Sequence, residues 1–432
     1  MSKTLRLCAL AAAAALAATV TSAQNTQTQT LTLQQAEQIA IQNHPLIQAA
    51  SNLASAAKAQ VTETRSAYYP TVYGSLTGVD AENNSRIAAG GLNNPVIYDR
   101  YANGVTVSQL LTDFGRTHEL VKSSDLHAQA QQQNVVATRA DVLLQVDQSY
   151  FAALKAQSVL TVAEETVKAR QLVSDQITEL AKNKIKSDLD VNFANVNLAQ
   201  AQLLLIQAQN DLRASYAKLA ESLGSSELTT FQLSDQPLPP APAGDVSVLI
   251  QQALRDRPEL LGQRLAVSSA QSFTTAERDL KLPTISALGT AGLTPVNESP
   301  LAPRYAAGGF NVNIPIFNGH LYGARETEAS SRAQAESQYL RDLQNQIVRD
   351  VQTAWLNANA AFQRLSVTDR LLAESNQALN LAQGRYSLGL SSIIELTQAE
   401  LNQTTARIEQ ASAKYDYEAQ YSLLNYQLGA LH

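Results

Sequence analysis

Residues 187–224 read SDLDVNFANVNLAQAQLLLIQAQNDLRASYAKLAESLG. Val191, Leu198, Leu205, Leu212 and Leu219 recur every seven residues, with Ala194, Ala201, Ala208, Ser215 and Ser222 three residues later. A sustained seven-residue repeat keeps one helix face toward its neighbours and imposes left-handed supercoiling. The small second position predicts close approach of those neighbours. Upstream, Val146, Ala153, Leu160 and Val167 keep the same period. An ordinary helical bundle shares this pattern, so length has to decide. The stretch 116–181 contains neither Gly nor Pro. At 1.5 Å per residue it makes a helix about 100 Å long, beyond any globular bundle.

The chain repeats itself. At an offset of 205 residues, Val146 falls on Val351, Tyr150 on Trp355, Ser187 on Ser392, Asp190 on Glu395, and Leu223-Gly224 on Leu428-Gly429. Nearer the start the offset becomes 213, aligning His44-Pro45 with Arg257-Pro258 and Tyr69-Pro70 with Leu282-Pro283. Each half is expected to hold a helix (36–66 and 246–281), two extended segments (71–80 with 101–111, 284–293 with 305–316) and a long helix (116–181 and 320–385). A short break (182–189 and 387–392) and a return helix (190–223 and 391–428) complete each half. The expected organisation is a first repeat over 24–224, a Pro-rich connector over 225–245 and a second repeat over 246–432. The two shorter helices of a half sum to nearly the length of the long one, so stacked end to end they could flank it throughout.

Composition fits long helices. Of 432 residues only 18 are Gly and 13 Pro, and charged residues make up 16% against about 25% in ordinary soluble domains. Lys3 and Arg6 precede an apolar run from Leu7 to Val20 that ends in Thr21-Ser22-Ala23. This pattern predicts a secretory signal peptide over residues 1–23. Its removal takes the net charge from −6 to −8, which disfavours nucleic acid as a partner. The single cysteine, Cys8, lies in that leader, so the expected mature chain has no thiol for disulfides, Cys-zinc sites or nucleophilic catalysis. The five histidines lack metal-ligand spacing, and no phosphate loop or nucleophile elbow stands out. No cofactor, metal or catalytic residue is expected, and the chain does not read as an enzyme.

The extended segments have strand period. Phe310, Val312, Ile314 and Ile316 alternate with Asn311, Asn313 and Pro315, and Val105 and Val107 with Thr106 and Ser108. Surface hairpins share such weak alternation, but strands of about ten residues also match a tilted membrane barrel. A barrel in lipid has to close, and closed ones start at about eight strands. Four strands per chain therefore demand a ring of copies: two give a filled interior, three give room for a water channel.

The ordered motifs carry a resemblance. Asp113-Phe114-Gly115-Arg116 and Phe317-Asn318-Gly319 stand at strand-to-helix transitions. Ser187-Asp188-Leu189-Asp190-Val191 marks the first break, and Tyr386-Ser387-Leu388-Gly389-Leu390 with Glu395-Leu396 the second. In this order and spacing the mature chain resembles the TolC family of outer-membrane efflux proteins. The resemblance implies a mainly α protein with a membrane β-barrel: a long coiled-coil α-helical barrel plus four β-strands per protomer. A homotrimer would form a 12-stranded barrel in outer-membrane lipid and a 12-helix tunnel across the periplasm. It further implies a passive exit duct for a tripartite efflux pump or type I secretion system, docked to a periplasmic adaptor and an inner-membrane transporter. Asp190, Glu395 and Tyr386 match the family's periplasmic gate. Lys184, Ile185, Leu388, Gly389 and Leu390 occupy the adaptor-contact tips. Ser391 and Gln398 depart from the pattern, standing where members carry an Arg link and a second constriction Asp. Lys184 replaces a tip Gly, so that turn is expected to take another conformation. A periplasmic coiled-coil adaptor or a structural coiled coil is the alternative.

Overall fold

The computed structural model describes residues 30–79, 87–89, 92–94, 100–226, 232–242, 244–294 and 302–431. The leader, and most of the 81–99 and 294–303 loops, lie outside them. In chain order the elements are β1 (Thr30–Leu31), α1 (Leu33–Asn43), α2 (Pro45–Arg65), β2 (Thr71–Val79), β3 (Ile87–Ala89), β4 (Leu92–Asn94), β5 (Arg100–Thr112), α3 (Arg116–Lys182) and α4 (Asp188–Ser222). After these come β6 (Gln232–Leu233), α5 (Val246–Asp256), α6 (Pro258–Arg278), β7 (Thr284–Leu293), β8 (Arg304–Asn313), α7 (Leu321–Ser387) and α8 (Ile393–Gln427). The two long helices have 67 residues each, and the two return helices 35 each.

The expected single helix at each half's start is two helices. His44 and Arg257 are extended, with ψ 124° at both, because a following Pro clashes with a helical predecessor. Pro45 and Pro258 then serve as first residues of α2 and α6, where their missing N–H costs nothing. The last strand also stops early. β8 ends at Asn313, and Ile314 and Ile316, counted as alternating strand positions, lie exposed beyond it. Pro315 has no N–H to continue a ladder.

The short helices stack end to end. α2 and α4 lie along one flank of α3, while α6 and α8 lie between α3 and α7. The joints are glycine turns. Gly224 closes α4 at φ +76°, and a Cβ there would meet the Asn43 carbonyl at 3.0 Å. Gly429 closes α8 at φ +72°, and a Cβ would meet the Asp256 carbonyl at 3.1 Å. Each return helix thus ends against a Pro-enforced break, and two columns form without a continuous chain.

β2, β5, β7 and β8 form one antiparallel sheet in that order, leaving β2 and β8 as edges. The transition from β5 into α3 is built by Asp113. Its carboxylate accepts from Thr117 N at 2.7 Å and from the Thr117 hydroxyl at 2.5 Å, while Phe114 and Gly115 turn the chain at positive φ. Gly319 and His320 make the equivalent turn into α7.

Three apolar clusters hold the columns. One, around Val146, Tyr150 and Phe151, takes in α1 and the β1–β6 pair; the Tyr150 hydroxyl donates to the Leu31 and Ser234 carbonyls at 2.8 and 2.6 Å. The second surrounds Ile347 and Val351, the third Ile177, Tyr386 and Leu396. On α4 the small residues Ala194, Ala201 and Ala208 are buried, as close helix approach requires, and Leu219, Ala220 and Ser222 join them at its end.

Candidate gate and tip residues

Both helix-to-helix turns are closed by the same backbone pattern. At the first, Ile185 N donates to the Leu180 carbonyl at 2.9 Å and Lys184 N to the Ala181 carbonyl at 2.9 Å. At the second, Leu390 N donates to the Arg385 carbonyl at 2.8 Å and Gly389 N to the Tyr386 carbonyl at 3.1 Å. This double bond satisfies carbonyls orphaned at a helix end and places one residue in the left-handed region. Gly389 does so at φ +74° and Lys184 at φ +58°. The expectation of a different turn at Lys184 is therefore wrong: the lysine takes the glycine conformation, at a cost of about 1 kcal/mol. Ile185, Leu388 and Leu390 are each about two-thirds exposed or more, leaving the tips apolar.

Beyond each turn a serine starts the return helix. Ser187 and Asp190 cap reciprocally: the Ser187 hydroxyl accepts from Asp190 N at 3.2 Å, and the Asp190 carboxylate accepts from Ser187 N at 3.0 Å and its hydroxyl at 2.8 Å. Partial burial raises the Asp190 pKa, but the Ser187 bonds and nearby Lys186 outweigh it and leave a net lowering. Ser392 accepts from Glu395 N at 3.4 Å in the second copy.

The structure brings Asp190 and Tyr386 together. Burial, then the charge of Asp190, pushes the Tyr386 phenol up to about 12. Its hydroxyl is shielded from water and makes no well-aligned hydrogen bond, although the carboxylate is close enough to act on it. The Lys186 ammonium lies 3.6 Å over the Tyr386 ring and donates to the Tyr386 carbonyl at 3.4 Å. Lys186 therefore joins the first hairpin to the second. Glu395 stands apart from this pair. It bridges to Arg385 of its own hairpin at 3.0 Å.

The two departures also have places. Ser391 holds a buried hydroxyl without a partner, and the tip guanidinium comes from Arg385, six residues earlier. Gln398 donates to Asn402 one turn along α8 at 2.9 Å.

Sequence reading missed the polar seam above the tips. Lys155 pairs with Asp416 at 2.7 Å, Arg407 with Glu165, and Arg170 with Glu400, each joining α3 to α8. Arg170 also donates to the Thr404 hydroxyl at 3.4 Å, and Asn197 of α4 to the Thr397 hydroxyl at 2.9 Å. Descending α3 the signs run plus, minus, plus; ascending α8 from Glu400 they run minus, plus, minus. That complementarity about an antiparallel axis was the available signal.

Residues 36–225 and 249–430 match the family described as Outer membrane efflux protein. The chain belongs to that family. Among curated relatives of this efflux protein, TolC of Vibrio cholerae (serotype O1) is 25% identical over 91% of this chain and 89% of the relative. The cation efflux system protein CusC of Escherichia coli (strain K12) is 26% identical over 84% of this chain and 78% of its own length. The solved structure of CusC superimposes with a TM-score of 0.80 at 21% identity, covering 92% of each chain. The fold is thus that of TolC-like outer-membrane channels, with a helical tunnel and a β-barrel. This efflux protein resides in the outer membrane through its strands and extends its helices into the periplasm. Among the described residues no helix is long and apolar enough to cross a membrane.

Proposed function

We propose that three copies of this chain close into a twelve-stranded barrel and a twelve-helix tunnel that serves as the passive exit duct of a tripartite efflux pump or type I secretion system. The observation that carries this reading is the four-stranded sheet with two unpaired edges, β2 and β8, continuous with helices about 100 Å long. Edges are intolerable in lipid, so neighbouring copies pair β8 of one with β2 of the next. Three copies leave an open bore where two would fill it with side chains. Each protomer is two copies of one unit, 24–224 and 246–432, joined by the 225–245 connector. The duct has no catalytic role, and its energy comes from the inner-membrane transporter.

The tips are the moving part in this reading. Asp190 and Tyr386, bridged by Lys186, tie one hairpin to the other, and Glu395 supplies a second ring of carboxylates. Repeated three times, they make a narrow acidic constriction that favours cations. Docking of a periplasmic adaptor on Lys184, Ile185, Leu388, Gly389 and Leu390 loosens these contacts. The relatives are named for cation efflux and for toluene efflux, so one duct architecture accompanies different cargo.

Purified protein in planar bilayers should give discrete single-channel conductance, and outer-membrane extracts should show a heat-sensitive trimer. A non-conducting monomer would sink the proposal. Asp190→Ala should raise the closed-state ion leak about twofold or more, because it removes both the carboxylate's half of the capping box with Ser187 and the carboxylate facing Tyr386. An unchanged leak would remove Asp190 from the gate.

A further inference from the structure

A second pair of acids lies about 50 Å up α3 from the tip, where function as an exit duct gives it no role. Asp147 is 2% exposed, within the cluster that contains Val146, Tyr150, Ala36 and Ala40. Three helices meet there. The Glu37 carboxyl from α1 and the Ser422 hydroxyl from α8 both lie close enough to act on Asp147, whose buried Oδ1 is left without a partner. Two carboxyl groups in contact inside a protein cannot both be ionised; their contact is attractive only when one carries a proton for the other to accept.

The charges around the pair do not relieve it. The charged group acting on Asp147 is Glu37 itself. One turn below Ser422 on α8, Glu418 is also buried with both carboxyl oxygens unpartnered. Glu418 faces Lys414 of its own helix, which is ion-paired to Asp235, and stands near the phenols of Tyr150 and Tyr415. Burial, then the charge of Glu37, pushes Asp147 up to about 8; burial likewise raises Glu37, and it takes Glu418 to about 7.

The duplicated half shows that the fold does not require these acids. The positions equivalent to Glu37, Asp147 and Ser422 are Ile250, Gln352 and Ala217, none of them ionisable. The acids belong to one copy alone.

We propose that Glu37, Asp147 and Ser422 form a proton-binding site that clamps α1 to the α3–α8 seam, and that loss of its proton loosens this junction. The folded chain holds a proton that the unfolded chain releases above the ordinary Asp value of 3.8. The contribution to stability is therefore full in acid and declines as pH rises toward about 8.

The test uses the assembled protein in detergent. At about pH 7 infrared spectra should show the carbonyl band of buried protonated carboxyl groups, weakened in Asp147→Asn and in Glu37→Gln. Exchange of the 33–43 amides, corrected for intrinsic pH dependence, should rise about tenfold between about pH 6 and about pH 9 in the parent and stay flat in Asp147→Asn. An unweakened band in the variants, or equal pH dependence in parent and Asp147→Asn, would overturn the proposal. If Asp147→Asn does not fold, Glu37→Gln decides by the same two readouts.

Discussion

α3 and α7 are the same length and occupy equivalent places in the duplicated chain, yet they are covered differently. α3 has a column on each flank and buries Val142, Leu143, Val146, Tyr150, Phe151 and Leu154. α7 has a column on one flank only, and its other side exposes Leu356, Val367, Leu371 and Leu381 on one face of the helix. At the opposite end of the four columns, α4 exposes Leu189, Val196 and Leu203 at seven-residue spacing. A helix that repeats the period of its twin but lacks its second neighbour leaves an apolar flank that a neighbouring copy would cover in the proposed ring. In the ring proposed above, α7 of one protomer meets α4 of the next as α3 meets α8 within the chain.

The largest effect should come from that bare flank. Val367→Glu with Leu381→Glu should cost about 4 kcal/mol per seam, since each apolar side chain is worth roughly 2 when buried. Unheated gels should then show monomer, whereas Leu172→Glu on the covered helix, at an exposed position, should leave the oligomer intact. Loss of the oligomer in both variants would break the distinction between the flanks.

An intermediate effect is expected inside the α3–α8 seam. The Arg170 and Glu400 side chains are 11% and 3% exposed, so Arg170→Ala strands a buried carboxylate and should destabilise by about 3–5 kcal/mol. Burial is what pushes the Glu400 pKa up despite Arg170. The double change Arg170→Met with Glu400→Leu should recover most of the loss. Arg385→Ala, which breaks an exposed pair at the tip, should cost at most about 1 kcal/mol. Thermal unfolding followed by circular dichroism ranks the three.

The smallest effect compares the two turns. Lys184→Gly removes left-handed strain while adding chain entropy, so a gain of roughly 0.5 kcal/mol is expected. A loss would mean that the Lys184 side chain contributes something at the tip that the strain argument omits.

Much of this fold was legible in residues. Gly and Pro spacing marked both long helices, and the heptad alanines of α4 marked a close seam. The His44-Pro45 and Arg257-Pro258 breaks were visible as aligned pairs, but the helices were carried through them because the apolar period continues on both sides. A proline's steric effect on its predecessor is local; period is an average over many turns. The tips were legible in part. Ser187 and Asp190 announce a helix start by their spacing, and the structure brings Asp190 to Tyr386. A lone basic residue beside a turn, such as Lys186 or Arg385, has no sequence signature; the partner of Lys186 is 200 residues away along the chain, and that of Arg385 lies across the turn in its own hairpin.

By itself, then, the sequence determined period, helix length, strand length and duplication, because these follow from local sterics and from which face of an element is apolar. Tertiary structure alone decided which short helices share a column, which charges meet across α3 and α8, and that the partly covered Glu37 is brought up to a buried Asp147. Those outcomes depend on the register between distant segments, which is set by packing of the whole chain and by no residue alone.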